Sequence, residues 1–176
     1  MSAPLWSKIV TFGELPASLS LEADEATRKE IAKDLDLEAL SLFTAKATVM
    51  PWMDGAELTA DWRAEATLIC GLTVEPFEEV LSGRMVIRCV PQTSPLAEPP
   101  APEVELDPEA DDPPDVIEDD RIDVAAYLVE HLALALPAFP RKPGAVFEPP
   151  PPEEPPSPFA VLLQLKPKPP QAGEGS

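Results

Sequence analysis

The run ELTADWRAEATLIC (Glu57–Cys70) alternates over fourteen residues, with Ile69 the one apolar residue on the polar side. Leu58, Ala60, Trp62, Ala64, Ala66, Leu68 and Cys70 fall on one side. Glu57, Thr59, Asp61, Arg63, Glu65 and Thr67 fall on the other. A period of two is the side-chain period of an extended chain, so this run predicts one long or bent strand, buried on one face and wet on the other. Its neighbours extend the pattern. Leu40–Met50 reads as a strand, and Met53-Asp54-Gly55 reads as the turn between the two, because Asp-Gly readily takes the positive φ of a tight hairpin. Beyond Cys70, Val74–Leu81 reads as a turn or short helix. Arg84–Val90 (RMVIRCV) then gives another strand, with Met85, Ile87 and Cys89 on one side and Arg84, Val86 and Arg88 on the other. On the N-terminal side, Lys8–Leu15 reads as a first strand. Leu21–Leu35 reads as a surface helix capped by Asp24, with a thin apolar stripe of Ala23, Ala26, Ile31 and Leu35.

A second well-bounded segment is Ile122–Ala145, IDVAAYLVEHLALALPAFPRKPGA. Asp123 is placed to cap a helix, Ile122 to pack on Tyr127 as a hydrophobic staple, and Pro137 to end it. Between Val124 and Leu136 only Glu130 and His131 are strongly polar. A helix so apolar is either central to a core or presented to a partner, and it is too short to cross a bilayer. Glu148–Pro156 (EPPPPEEPP) then reads as a stiff spacer. After it, Ser157 and Pro158 open a short helical segment in which Phe159, Leu162, Leu163 and Lys166 share a face, and Pro167 stops it. So short a helix does not hold alone in water, so the segment requires a surface to dock on.

The 176 residues suit one domain. Acids outnumber bases 32 to 13, for a formal charge of −19. Such a field repels a nucleic-acid backbone and attracts basic proteins. The charge is uneven. Eleven acids and no base fall between Glu98 and Asp120. The 25 prolines cluster as well: four precede residue 90, eight lie from Pro91 to Pro114 and thirteen from Pro137 to Pro170. Codon bias could raise the number of prolines, but clustering marks linkers. The expected organisation is a single domain over 1–147 containing a mobile acidic loop at 92–120. A proline-rich linker at 148–156, the docking segment at 157–166 and a disordered tail at 167–176 complete it. Two cysteines make no disulfide framework, and MSAPLWSKIV is no signal peptide, so the expected location is the cytoplasm.

Chemistry-bearing constellations are sparse. The sequence has no phosphate-binding or dinucleotide-binding glycine loop. The one histidine, His131, reads as structural, and Cys70 and Cys89 read as small buried hydrophobes. The acidic tract lacks the spaced ligands of a calcium loop; it is either a solvated linker or a contact for a basic partner. The basic groups Arg28/Lys29/Lys33, Arg84/Arg88, Arg141/Lys142 and Lys166/Lys168 each read as a solvated face before a phosphate site. No catalytic, cofactor-binding or metal-binding residue is expected.

In order, these pieces resemble the YceD family, the large ribosomal RNA subunit accumulation proteins of bacteria and plastids. LICGLTVEPF (Leu68–Phe77) stands where the family often has Cys-x-x-Cys before a Pro-Phe pair. An acidic loop, an Ile-Asp-led helix ending LALALPAFP (Leu132–Pro140) and the ending PFAVLLQLK (Pro158–Lys166) follow. Arg141–Gly144 resembles the alphaproteobacterial branch. The chain departs from the pattern at Thr73, which replaces the second cysteine, and it has no cysteine after Pro140; a metal site does not carry over. The resemblance implies a non-enzymatic factor for 23S ribosomal RNA accumulation, and so for large-subunit assembly.

The expected fold is α+β: an antiparallel sheet of four to six strands, flat or closing toward a small open barrel, with two main helices and long acidic and proline-rich loops. The expected partner is a large-subunit precursor or a basic ribosomal or assembly protein, with 23S ribosomal RNA touched indirectly and no membrane. Candidate contact residues are Arg84, Arg88, Arg141 and Lys142, the segment residues Phe159, Leu162 and Leu163, and Asp111, Asp112, Asp119 and Asp120 of the acidic tract. The rival readings are a direct RNA-binding module using Arg84 and Arg88, an adaptor unrelated to ribosomes, and an enzyme, which would need a cleft with a perturbed acid pair.

Overall fold

The computed structural model describes residues 6–97 and 113–147. The chain divides into two compact units, Met1–Ala145 and Val146–Ser176, and every element below lies in the first. Strands are β1 (Ile9–Thr11), β2 (Ala17–Glu22), β3 (Ala39–Trp52), β4 (Gly55–Ile69), β5 (Pro76–Pro91), β6 (Asp115–Ile117) and β7 (Arg121–Asp123). Helices are α1 (Glu25–Asp34) and α2 (Val124–Ala135). Five strands form one sheet in the order β2-β3-β4-β5-β6, and β1 pairs with β7 in a separate two-stranded ribbon. The class is α+β. The sheet is open, with β2 and β6 at its edges, and does not close into a barrel.

The alternation of Glu57–Cys70 is realised along β4. Ala56, Leu58, Ala60, Trp62, Ala64, Ala66 and Leu68 are buried, and Asp61 and Arg63 are exposed. β3 pairs antiparallel from Trp52↔Gly55 to Ala39↔Thr67, and β5 from Ala56↔Cys89 to Ile69↔Pro76. The β3–β4 turn differs from the expected Asp-Gly geometry. The left-handed residue is Met53 (φ 50), while Gly55 is already in the strand. Gly55 serves close approach instead: a Cβ there would stand 2.0 Å from the Cys89 carbonyl oxygen. Gly83, directly across from Trp62, leaves room for the indole, which a Cβ would meet at 3.0 Å. Trp62 in turn meets Phe43 edge-on at 6.3 Å, and Phe43 meets Trp6 at 5.3 Å. Paired rings at such spacings add about 0.5–1.5 kcal/mol each beyond area burial.

Three local expectations shift. The residues from Pro76 onward extend β5 where a turn or short helix was expected, since a β4 of fifteen residues leaves a long row of backbone donors and acceptors that the next segment satisfies. Leu21 and Glu22 belong to β2, and α1 starts after its cap: the Asp24 carboxylate accepts from the Thr27 N–H at 2.8 Å. Helix α1 buries Ile31 and Ala32 against the sheet, with Ala26 left exposed. The acidic tract is structured at both ends. Residues 95–97 form a 3-10 turn beside buried Ser94 (5% exposed), and Asp115–Ile117 pairs with Cys89–Pro91 in parallel. Parallel neighbours need a long return connection, which accounts for a tract of this length between β5 and β6.

Helix α2 begins where predicted. Asp123 caps it, accepting from the Ala126 N–H at 3.3 Å. The same carboxylate accepts from the Lys8 N–H at 2.8 Å and the Ser7 hydroxyl at 2.7 Å, and the Val124 N–H donates to the Lys8 carbonyl at 2.9 Å. One side chain therefore joins the start of α2 to the strand β1 that pairs with β7. The helix turns Val124, Ala125, Leu128 and Leu132 into the core, where full burial of each leucine contributes about 1.5–3 kcal/mol. Leu134 points away, 81% exposed.

Asp123→Ala removes a cap and two further bonds, and a loss of about 2 kcal/mol is expected in urea unfolding. Gly55→Ala forces a methyl into the Cys89 carbonyl, with a cost of roughly 1–3 kcal/mol by the same measurement. Unchanged midpoints would contradict these roles.

Candidate functional site

The open face of the sheet carries the first predicted contact pair. Arg84 and Arg88 share the wet side of β5 with Val86. Antiparallel register sets two rows across the strands, Met50–Glu57–Arg88 and Lys46–Asp61–Arg84. Arg88 ion-pairs with Glu57 at 3.1 Å and lies over the Trp52 ring at 5.2 Å. Arg63 pairs with Glu65 at 2.8 Å on the same face. Arg84 is exposed. The face is thus a mixture of signs, and two of its guanidiniums already have carboxylate partners.

The second predicted pair, Arg141 and Lys142, follows α2, where the chain packs on the β4–β5 turn. The Gly71 N–H donates to the Pro140 carbonyl at 2.9 Å, and Lys142 ion-pairs with Glu75 at 2.9 Å. The turn itself is tight: the Val74 N–H donates to the Cys70 carbonyl at 2.8 Å, the Cys70 N–H donates to the Glu75 carbonyl at 2.9 Å, and Val74 takes φ 58. These bonds fix the backbone around Cys70, whose side chain is buried. The Thr73 hydroxyl, then the backbone N–H groups of Lys142, Thr73 and Leu72, donate toward its sulfur and hold the thiol at about 6, against an ordinary value of 9.0. Thr73 therefore has a definite task in the Cys-x-x-Thr spacing. It supplies a hydroxyl donor, while the Cys70 sulfur adds slightly to the raised state of the Lys142 ammonium, which Glu75 sets first. Reading Cys70 as an ordinary small hydrophobe got its burial right and missed its electrostatics. The departure Cys-x-x-Thr was the available signal.

Cys89 is the opposite case. Burial pushes its thiol up. Its sulfur lies 3.7 Å from the Tyr127 hydroxyl, which donates to Asp115 at 2.8 Å. Burial, then that carboxylate, raises the Tyr127 phenol in turn. The chain of contacts ties α2 to β5 and β6. His131 is half-buried on α2.

Of the acidic candidates, Asp119 and Asp120 form the turn between β6 and β7, both with left-handed backbone (φ 55 and 52). Asp111, Asp112, Phe159, Leu162 and Leu163 lie outside the described residues, as do the linker and the docking segment. The predicted contacts are therefore not gathered into one site: Arg84 and Arg88 are on the open sheet face, and Arg141 and Lys142 are beside the β4–β5 turn. Among the described residues no group of three or more His, Cys, Asp or Glu side chains is arranged to hold a metal ion, and no helix is long and apolar enough to cross a membrane.

A depressed thiol stabilises the fold in its charged form. That contribution is complete above the ordinary value of 9.0 and is lost as pH falls toward 6. Thiolate absorbance near 240 nm should titrate with a midpoint near 6, disappear in Cys70→Ser, and move upward in Thr73→Val. A midpoint near the ordinary value in the unmodified chain would show that the donors do not act on the sulfur.

The family model for large ribosomal RNA subunit accumulation protein YceD matches residues 58–166. No curated protein and no solved structure matches the chain. The match opens within β4 and takes in β5, the Cys70 turn, β6, β7, α2 and the segment ending at Lys166. The chain belongs to the YceD family of large ribosomal RNA subunit accumulation proteins.

Proposed function

We propose that this protein is a non-enzymatic cytoplasmic factor in 23S ribosomal RNA accumulation and large-subunit assembly, acting through contacts with protein on the precursor particle. The family match over residues 58–166 carries the first part. Charge supports the second. The chain is −19 overall, and the folded surface neutralises several of its own cations: Lys29 with Glu25, Arg63 with Glu65, Arg88 with Glu57 and Lys142 with Glu75. A phosphate backbone would have to displace those carboxylates, whereas a basic protein meets an attractive field. In this reading the carboxylates of 98–120 steer the basic partner in and set the salt dependence of binding.

In cells lacking the protein, sucrose gradients should show accumulated large-subunit precursors and reduced 23S ribosomal RNA. Immunoblots of wild-type gradients should find the protein with those precursors. A normal profile would end the proposal. Replacing the Asp and Glu residues of 98–120 by Asn and Gln should weaken association and flatten its dependence on salt. If association is the same at low and high salt, the electrostatic part fails. Loss of binding on Arg84→Glu with Arg88→Glu, together with a steep salt dependence on isolated ribosomal RNA, would favour direct RNA binding instead.

A further inference from the structure

One end of the domain carries a groove of about 530 Å³ with a mixed polar and apolar lining. Three segments distant in sequence build it: the connection from α1 to β3, the end of β4, and the chain leaving α2. Residues 35–38 alternate. Leu35 and Leu37 are half-buried and turn into the groove wall, while Asp36 and Glu38 are exposed. Leu68 and Leu136 complete the apolar lining. Lysine, arginine and histidine are absent from the lining.

Backbone hydrogen bonds hold two of its walls. Leu37 and Glu38 donate their N–H groups to the carbonyls of Ala32 (2.8 Å) and Thr67 (3.1 Å). The opposite wall holds Pro137 and Pro140, and the Pro140 carbonyl is tied to Gly71. On the same stretch of chain, Leu134 and Phe139 are 81% and 85% exposed. Neither lines the groove; within the lining Ile69 is 38% exposed and Leu35, Leu37 and Leu136 are half-buried, and apolar side chains left partly in water in a groove mark a protein contact. The rim sets the sign of the partner. Asp36 and Glu38 stand at the groove, Arg141 follows the proline wall, and Lys142 is neutralised by Glu75. On the far side of Glu38, α1 presents Arg28, Lys29 and Lys33, with Lys29 paired to Glu25 and Arg28 donating to the Ala23 carbonyl. Within the groove lining itself both charged side chains are carboxylates, Asp36 and Glu38.

We infer that this groove receives a short cationic, apolar peptide segment of a large-subunit ribosomal protein. Two or three aliphatic or aromatic side chains sit against Leu35, Leu37, Ile69 and Leu136, and flanking lysines or arginines meet Asp36 and Glu38. The inference rests on the proposed function and adds to it the place and chemistry of the contact. Contacts of this kind concentrate affinity in a few apolar anchors, and surface ion pairs contribute less.

A photo-crosslinking amino acid at Ala138 in the full chain tests it, with total protein extracted from purified large subunits as the probe. The same photo-crosslinker at Thr59, on the open sheet face, is the control. The expected result is an adduct from Ala138, and not from Thr59, to a lysine- or arginine-flanked apolar stretch of one ribosomal protein. Asp36→Asn with Glu38→Gln should lower its yield about 3- to 10-fold at low salt and little at high salt. Ile69→Ser with Leu136→Ser, both in the lining and both partly open to water, should lower it about 10-fold at both. Equal adducts from both positions, adducts only to this chain's own residues 158–166, or yields unaffected by both double variants would each overturn the inference. So would preferential crosslinking to 23S ribosomal RNA supplied in a parallel reaction. Gradient co-sedimentation of the same protein separates the two levels. Co-sedimentation without a groove adduct overturns the groove alone, and failure to co-sediment overturns the functional reading with it.

Discussion

β4 is hydrogen-bonded on both edges over nearly its whole length, to β3 on one side and β5 on the other. Backbone pairing satisfies its amides but leaves its inner face of Ala60, Trp62, Ala64, Ala66 and Leu68 to be covered from above the sheet. That need places the rest of the domain. α2 lies against β4, β5 and β1, and α1 lies against β3. The small alanines let covering elements come close, while Trp62 reaches Phe43 and occupies the space over Gly83. The outer face carries the ion pairs Arg63–Glu65 and Arg88–Glu57 together with the exposed apolar side chains Met50, Ile69, Val80 and Val86. The groove also follows from this arrangement, because it forms where the end of β4 emerges between the two covering helices' C-terminal connections.

The Cys70 turn gathers donors around one sulfur. The Thr73 hydroxyl and the N–H groups of Lys142, Thr73 and Leu72 act on it. Several donors to the charged form favour a thiolate. The Lys142 ammonium and its Glu75 partner complete a small ionic cluster. The cluster links the chain after α2 to the β4–β5 turn, so it supports one wall of the groove. The two cysteines, indistinguishable by hydropathy, thus end in opposite environments: Cys70 among donors, Cys89 beside a phenol and under a burial penalty.

Periodicity was the most legible signal. The alternation of β4, the inner set Met85 and Cys89 of β5, and the Asp123-capped helix were all readable because each depends on residues adjacent in the chain. The misread positions share a cause. The stretch Pro76–Leu81 becomes strand because β4 needs a partner, Leu21 joins β2 because β3 extends that far, and the Met53 turn takes its shape from hairpin twist and the nearby Cys89 carbonyl. Each is set by a neighbour remote in sequence. Of the candidate contacts, Arg88 and Lys142 proved to be ion-paired, a fact that depends on Glu57 arriving from the neighbouring strand and Glu75 from the β4–β5 turn.

By itself the sequence determined the class of the fold, its strongest strand, the start of α2, the acidity of the surface and the family. All of these are local or compositional properties: side-chain period, capping chemistry, net charge and motif order. Tertiary structure alone decided strand order, the parallel seating of β6, the ionic setting of Cys70 and the groove rimmed by Asp36 and Glu38. Those depend on backbone pairing and on packing between segments up to about a hundred residues apart, where loop closure permits many partners and only mutual burial selects one.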